Sequence, residues 1–314
     1  SKFELGRNFA NKLWNASRFI LMNLKEDECG ADLCVFFKGA ELSLAERWIL
    51  SRFYSTLGYV EKCLDSYKFN EAANAIYEFL WHEFCDWYIE IAKLNIGDKN
   101  TQVILYKVLE KSLRMLHPFM PFITEEIWQK LPHEKEAVGD SIMVQRWPHM
   151  QKEIISKEDE GEMAFLIELV SSIRNMRSVW NIEPARAVEV MINVHGKREE
   201  ALIASSSDIV KRLGRISALK VGKISKPKSS AVSIVGGAEV YLPLEGLIDF
   251  EKEKARLGKE EARLVGEIKG LEGRLGDKEF LKKAPEDVVE KQKARKTEAG
   301  EQLKKLRENM KEIG

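Results

Sequence analysis

The sequence predicts a mainly α protein in three parts: a helical bundle, a small α+β module and a C-terminal antiparallel coiled-coil hairpin. Three observations predict it. Apolar residues recur every three to four positions through residues 1–150. Alternation and β-branching are confined to residues 187–242. Leucines then repeat every seven residues from 250 onward. A chain of 314 residues has room for about two domains at roughly 150 residues each. Its 50 Lys+Arg and 50 Asp+Glu cancel, which excludes a wholesale polycation and leaves room for local basic patches. Charged residues make up 32%, above the globular norm of about 25%, as long exposed helices would require. No apolar run reaches the roughly 18 residues that span a bilayer, and no signal-peptide pattern opens the chain. It begins Ser-Lys-Phe-Glu without a Met, as a fragment or a processed chain would.

Residues 1–150 carry six of the seven tryptophans and read as the bundle. One helix covers residues 3–24. Ser43 with Glu46 three positions on forms a capping box, which starts a second helix running towards residue 67. A third follows Asn70, with Ile76, Phe79, Leu80, Phe84, Trp87 and Ile91 at helical spacing. A fourth, residues 101–116, stops at His117-Pro118, because proline disfavours helical backbone in the residue before it. A short fifth follows Pro121, with Glu125 and Glu126 expected in its first turn and Trp128 and Leu131 inward.

Residues 151–245 change texture. An amphipathic helix at 162–180 leads to a strand at 187–194 and a helical stretch at 199–214. Strands follow at 216–221, 231–235 and 239–242, with Gly236-Gly237 as a hairpin turn. In residues 246–314, Phe250, Leu257, Leu264 and Leu271 form one heptad row. Leu247, Ile268 and Leu275 form its partner row, interrupted by Lys254 and Glu261. Beyond Gly276 and Pro285, two more rows run through Val289, Lys296, Leu303 and Met310, and through Gln292, Ala299, Leu306 and Ile313. Two such seams joined by a short connector predict an antiparallel coiled coil about 40 Å long. Gly258, Gly266, Gly270 and Gly273 inside its first helix each cost about 0.5–1 kcal/mol, unless they allow close helix approach.

No nucleotide-binding glycine loop, zinc-protease motif or nucleophile elbow occurs, and the five histidines are scattered. No catalytic residue and no metal site is expected. Cys29, Cys34, Cys63 and Cys85 contain no CxxC pair and read as reduced thiols of a cytoplasmic protein. The first helix is more informative. At about 100° per residue, Phe9, Leu13, Ala16 and Ile20 form an apolar stripe. Arg7, Asn11 and Arg18 gather on the other side, with Trp14 beside them and Asn8 and Asn15 flanking. Arg can fork onto a phosphate or a base edge, Asn can read a base edge, and a flat aromatic ring can stack on an unpaired base. A solvated helix face with a Trp over the core edge explains the same pattern. Near the hairpin tip, Lys278, Lys282, Lys283, Lys291, Lys293, Arg295 and Lys296 form a basic patch suited to phosphates, or the mixed charge of any exposed coiled coil.

Several segments carry a family resemblance. Gly6-Arg7-Asn8-Phe9-Ala10-Asn11-Lys12-Leu13-Trp14-Asn15-Ala16-Ser17-Arg18-Phe19 resembles the opening of the anticodon-binding domain of valyl-tRNA synthetases. Glu46-Arg47-Trp48-Ile49-Leu50-Ser51-Arg52 is similar to the next helix of that domain. Leu116-His117-Pro118-Phe119-Met120-Pro121-Phe122 is shared in style by the related class I enzymes. Ile173-Arg174-Asn175-Met176-Arg177, Asn181-Ile182-Glu183-Pro184-Ala185 and Leu242-Pro243-Leu244-Glu245-Gly246, with the terminal coiled coil, resemble the valine enzymes specifically. The resemblance covers essentially the whole chain.

The resemblance implies recognition without catalysis. The His-Ile-Gly-His and Lys-Met-Ser-Lys-Ser signatures of the catalytic domain are absent from this sequence, as is the editing domain. ATP and Mg therefore belong to the missing catalytic domain, no cofactor is expected here, and the chain alone is expected to be inactive. The implied partner is a valine-accepting tRNA, with no membrane and a monomeric chain. Arg7, Asn11, Trp14, Asn15 and Arg18 are implied at the anticodon loop. Lys282, Lys283, Lys291, Lys293 and Arg295 are implied on an arm that braces the tRNA corner. The competing reading is a structural adaptor whose coiled coil pairs with other proteins. The polar seam positions Lys254, Glu261, Gln292 and Lys296 suit such pairing poorly.

Overall fold

A computed structural model describes residues 2–25, 41–132, 140–277 and 285–313. Cys29, Cys34, His133, Lys278, Lys282 and Lys283 lie outside them. The chain forms two compact units, Ser1–Ile167 and Glu168–Gly314.

The first unit is helical. Helix α1 (Lys2–Asn23) is followed by α2 (Leu44–Asp65), whose capping box is present: the Ser43 N–H donates to Glu46 at 2.8 Å and the Glu46 N–H to the Ser43 hydroxyl at 3.4 Å. Helix α3 (Phe69–Glu78) runs without a break into a π-helical stretch (Phe79–Tyr88) and a last turn, α4 (Ile89–Ala92). Asp98 caps α5 (Lys99–Leu116) by accepting from the Thr101 N–H at 3.0 Å. The core sits between these helices, where Trp48, Phe53, Tyr54, Leu57, Phe79, Phe84, Leu109 and Trp128 are buried. A second tie is polar: the Thr101 hydroxyl donates at 2.9 Å to the same Glu46 that caps α2.

Helix α6 (Pro121–Trp128) departs from expectation. Proline occupies its first position, where its missing N–H is not needed. Glu125 and Glu126 therefore fall in the second turn. Glu125 accepts from Gln129 and Ser141, and Glu126 pairs with Lys130. Trp128 and Leu131 are buried as expected.

Helix α7 (Lys157–Val179) contributes its start to the first unit and the remainder to the second. The second unit holds a four-stranded sheet of β1 (Val188–Asn193), β2 (Ile216–Gly222), β3 (Ser230–Val235) and β4 (Ala238–Pro243), in the order β2-β1-β4-β3. Strands β1 and β2 are parallel, so the chain must cross over between them. It does so through α8 (Lys197–Ser205) and α9 (Ser207–Gly214), two helices where the sequence predicts one stretch, broken at Ser206. Strands β3 and β4 form the expected hairpin, and Gly236 and Gly237 both adopt the positive φ that its turn requires.

The arm is a helical hairpin of α10 (Phe250–Gly276) and α11 (Glu286–Ile313). Leu257, Leu264 and Leu271 are buried on α10 and Ala299 on α11. Ion pairs lace the two helices together: Glu267 with Arg295 (2.8 Å), Glu272 with Lys296 (2.9 Å) and Glu261 with Arg307 (2.7 Å). A Cβ added at Gly258, Gly266, Gly270 or Gly273 would meet nothing within 4 Å, so these glycines do not serve close helix approach.

Candidate nucleic-acid interface

Helix α1 is held by its inner face. Phe9, Leu13 and Ile20 are buried as the stripe predicts. Ser17, rather than Ala16, completes the buried row, its hydroxyl donating to the Leu13 carbonyl at 2.8 Å. The end of α3 and the π-helical stretch grip the same helix. The Phe9 ring lies 5.2 Å from that of Tyr77 and 6.3 Å from that of Trp81. The Lys12 ammonium sits 4.0 Å from the Trp81 ring centre and pairs with Asp86. A π-helix is rare beyond one turn and gathers at functional positions. This one carries both aromatic and acidic grips on α1.

With its inner face fixed, α1 presents the outer one. Arg7, Asn8, Asn11, Trp14, Asn15 and Arg18 are all exposed. No side-chain hydrogen bond or ion pair engages Arg7, Asn11 or Arg18 among the described residues. Trp14 is 36% exposed, with the Lys130 ammonium 5.8 Å from its ring centre. The structure thus brings Arg7, Asn11, Trp14 and Arg18 onto one free face of a rigid helix. It places Asn15 apart from them, on the rim of a cleft of about 350 Å³ between α1 and the π-helical stretch. Cys85 lies in that cleft. Burial pushes its thiol up to about 12, with Lys12 opposing and Asp86 reinforcing the shift.

Exposed aromatics that no local sequence pattern marks include Tyr67, Phe69 and Phe122. Phe122, near the start of α6, is 91% exposed, and α6 packs against α1.

On the arm, Lys291, Lys293 and Arg295 are exposed along α11. Arg295 is engaged with Glu267 across the hairpin, and Lys293 lies 3.6 Å from Glu290. Exposed pairs of this kind contribute only about 0–1 kcal/mol, so a phosphate could displace the acid at little cost. Among the described residues no cluster of His, Cys, Asp or Glu could hold a metal ion. No helix there is long and apolar enough to cross a membrane.

Residues 46–192 match the family model of the anticodon-binding domain of tRNA ligases. Residues 249–314 match that of the valyl tRNA synthetase tRNA binding arm. The chain corresponds to the C-terminal region of the valyl-tRNA synthetases. It is 40% identical to the valine–tRNA ligase of Oceanobacillus iheyensis over 99% of its own length and 35% of the relative's. With the valine–tRNA ligase of Bacillus subtilis it shares 41% identity over 93% of its length and 33% of the relative's. That of Carboxydothermus hydrogenoformans gives 41% over 94% and 33%. The chain thus spans about a third of the length of these relatives. Helix α1 precedes the span of the anticodon-binding model but lies within the region that relatives align over 99% of the chain.

Proposed function

We propose that this chain binds valine-accepting tRNA, with the helical bundle at the anticodon loop and the coiled-coil arm at the outer corner of the folded RNA. The observation that carries the reading is the outer face of α1. Two arginines and an asparagine with no side-chain partner among the described residues stand beside a half-open tryptophan, on a helix fixed from behind by aromatic rings and an ion pair. Proteins read RNA sequence mainly on unpaired bases, which can stack on a ring or guanidinium and offer their edges to hydrogen bonds. Arg7, Asn11, Trp14 and Arg18 supply those groups, with Asn15 at the cleft edge. The arm offers Lys282, Lys283, Lys291, Lys293 and Arg295. A helical hairpin has no groove for a base, so its contacts would be with phosphates and would position rather than discriminate.

In this reading the chain works as a monomer in the cytoplasm. The ATP-dependent joining of valine to tRNA belongs to the whole enzyme, whose catalytic and editing domains lie outside this sequence. The arm's buried leucines are covered by its own second helix, which disfavours an adaptor that pairs with other coils. Filter binding of the chain to valine-accepting tRNA and to an unrelated tRNA tests the reading. Tighter binding of the first is expected, and equal or absent binding would refute it.

A further inference from the structure

A second cationic centre lies in the second unit, far along the sequence from α1. Arg177, on α7, is only 7% exposed. Its guanidinium donates to five backbone carbonyls: Gly214 (3.5 Å), Arg215 (3.2 Å), Glu183 (3.2 Å), Pro184 (3.3 Å) and Arg186 (2.7 Å). No carboxylate pairs with it among the described residues. Burying a charge without a counter-charge is expensive, and carbonyl dipoles offset only part of that cost. Arg215 stands beside it and adds to the positive field. Burial and the Arg215 charge both push the Arg177 pKa down, yet an arginine stays protonated.

These groups open into a cleft of about 580 Å³, lined by Arg174, Arg177, Ser178, Asn181 and Arg215 among others, with no Asp or Glu in its wall. The Arg174 Nε donates to the Leu213 carbonyl at 2.9 Å, and Arg215 Nη1 to the Pro184 carbonyl at 2.7 Å. Both residues are exposed, and among the described residues Arg215 Nε and Nη2 make no hydrogen bond. The backbone is unusual here as well. Asn181 (φ 46°) and Arg215 (φ 53°) both adopt the left-handed conformation. For arginine at the end of a helix, where glycine is the usual choice, this conformation is strained. Such strain gathers at functional sites.

We propose that this arginine-lined cleft between the end of α7 and the α9–β2 turn seats a backbone phosphodiester of the bound tRNA. Arg177 supplies fixed positive charge from below, Arg215 supplies the reachable N–H donors, and Arg174 adds its charge at the rim. Ser178 and Asn181 offer further hydrogen bonds at the rim. The contact is to phosphate, so it carries no sequence information. The proposal rests on the tRNA-binding reading.

The test uses the full 314-residue chain, with Arg177 left in place because its five bonds hold the fold. Arg215→Asn removes the guanidinium while keeping a residue that tolerates left-handed backbone. Arg174→Gln is the second variant, should the first melt early. Each is titrated with valine-accepting tRNA, and with the same tRNA bearing a changed anticodon, at 50–300 mM KCl. Each variant should bind both RNAs about 3- to 10-fold more weakly, with the log–log salt slope reduced by about 0.7–0.9, the signature of one lost phosphate contact. Arg215→Lys should keep the slope. Unchanged affinity and slope in both variants, while Arg18→Ala still weakens binding, would overturn the proposal and leave the tRNA reading standing. If the intact chain binds no tRNA at all, the reading itself falls. If millimolar pyrophosphate raises the melting temperature of the intact chain but not of Arg215→Asn, with RNA affinity the same in both, the cleft takes free anions and the proposal is wrong.

Discussion

Replacing Glu160 by glutamine removes one charge from the junction of α2 and α7 and keeps its shape. The Glu160 carboxylate accepts from Ser51 (2.6 Å), Ser55 (3.1 Å) and Lys157 (2.8 Å), and lies 3.4 Å from the Arg52 guanidinium. Arg52 in turn forks onto Glu83 at 2.7 and 2.8 Å. The Glu160 side chain is 12% exposed. Burial by itself would raise its pKa, but the donors from Lys157, Ser51, Ser55 and Arg52 outweigh it. They hold the carboxyl below the usual 4.5. Hydrogen bonds to a charged group contribute about 1.5–3 kcal/mol, and the glutamine oxygen retains part of that. The expected loss is therefore about 2–3 kcal/mol at pH 7. For the unit that holds Glu160, Ser1–Ile167, that is a fall in melting temperature of about 4–12 °C. The sign with pH follows from the lowered folded pKa. The contribution is present above the unfolded value of about 4.5 and is lost as pH falls through the folded value. Thermal unfolding followed by circular dichroism at pH 7 and pH 3 should show a clear gap between the proteins at pH 7 and a smaller one at pH 3. A gap of equal size at both pH values, or none at pH 7, would refute the electrostatic account.

Two further outcomes follow from the arm. Gly266→Ala and Gly270→Ala, where the added methyl meets nothing within 4 Å, should together stabilise the hairpin by about 1–2 kcal/mol in thermal unfolding, through helix propensity alone. A loss of stability would mean that something packs there. Removing residues 249–314, the span of the arm, should weaken cognate and non-cognate tRNA binding by similar factors and flatten the salt dependence, measured by filter binding at several KCl concentrations. Unchanged affinity and slope would take the arm out of the interface.

Local signals in the sequence carried much of this architecture. The Ser43–Glu46 capping box, the Gly236-Gly237 turn and the Leu257–Leu264–Leu271 row each encode their geometry within a few residues, and each is in place. The same holds for the α1 face, because a helix fixes the relative direction of Arg7, Asn11 and Arg18 without knowledge of the fold. Features that depend on distant partners were not legible. The π-helical stretch has no short-range signature, and its role shows only in Trp81 against Phe9 and Asp86 against Lys12. Ser17 takes the buried position given to Ala16 because its hydroxyl can bond back to Leu13. Arg177 reads as an exposed helix residue until the carbonyls of 183–186 and 214–215 close around it. The pairing of Arg295 with Glu267 likewise needs the register of the hairpin.

The most direct measurement compares the intact chain and Arg18→Ala on two tRNAs that differ only in the anticodon. The intact chain should prefer the valine anticodon. Arg18→Ala should lose about 1–3 kcal/mol, roughly 5- to 150-fold, on that tRNA and much less on the other, because a guanidinium that reads or stacks on a base discriminates between bases. Equal losses on both tRNAs would make Arg18 a phosphate contact. Absence of any anticodon preference in the intact chain would contradict the assignment of α1 as the reading helix.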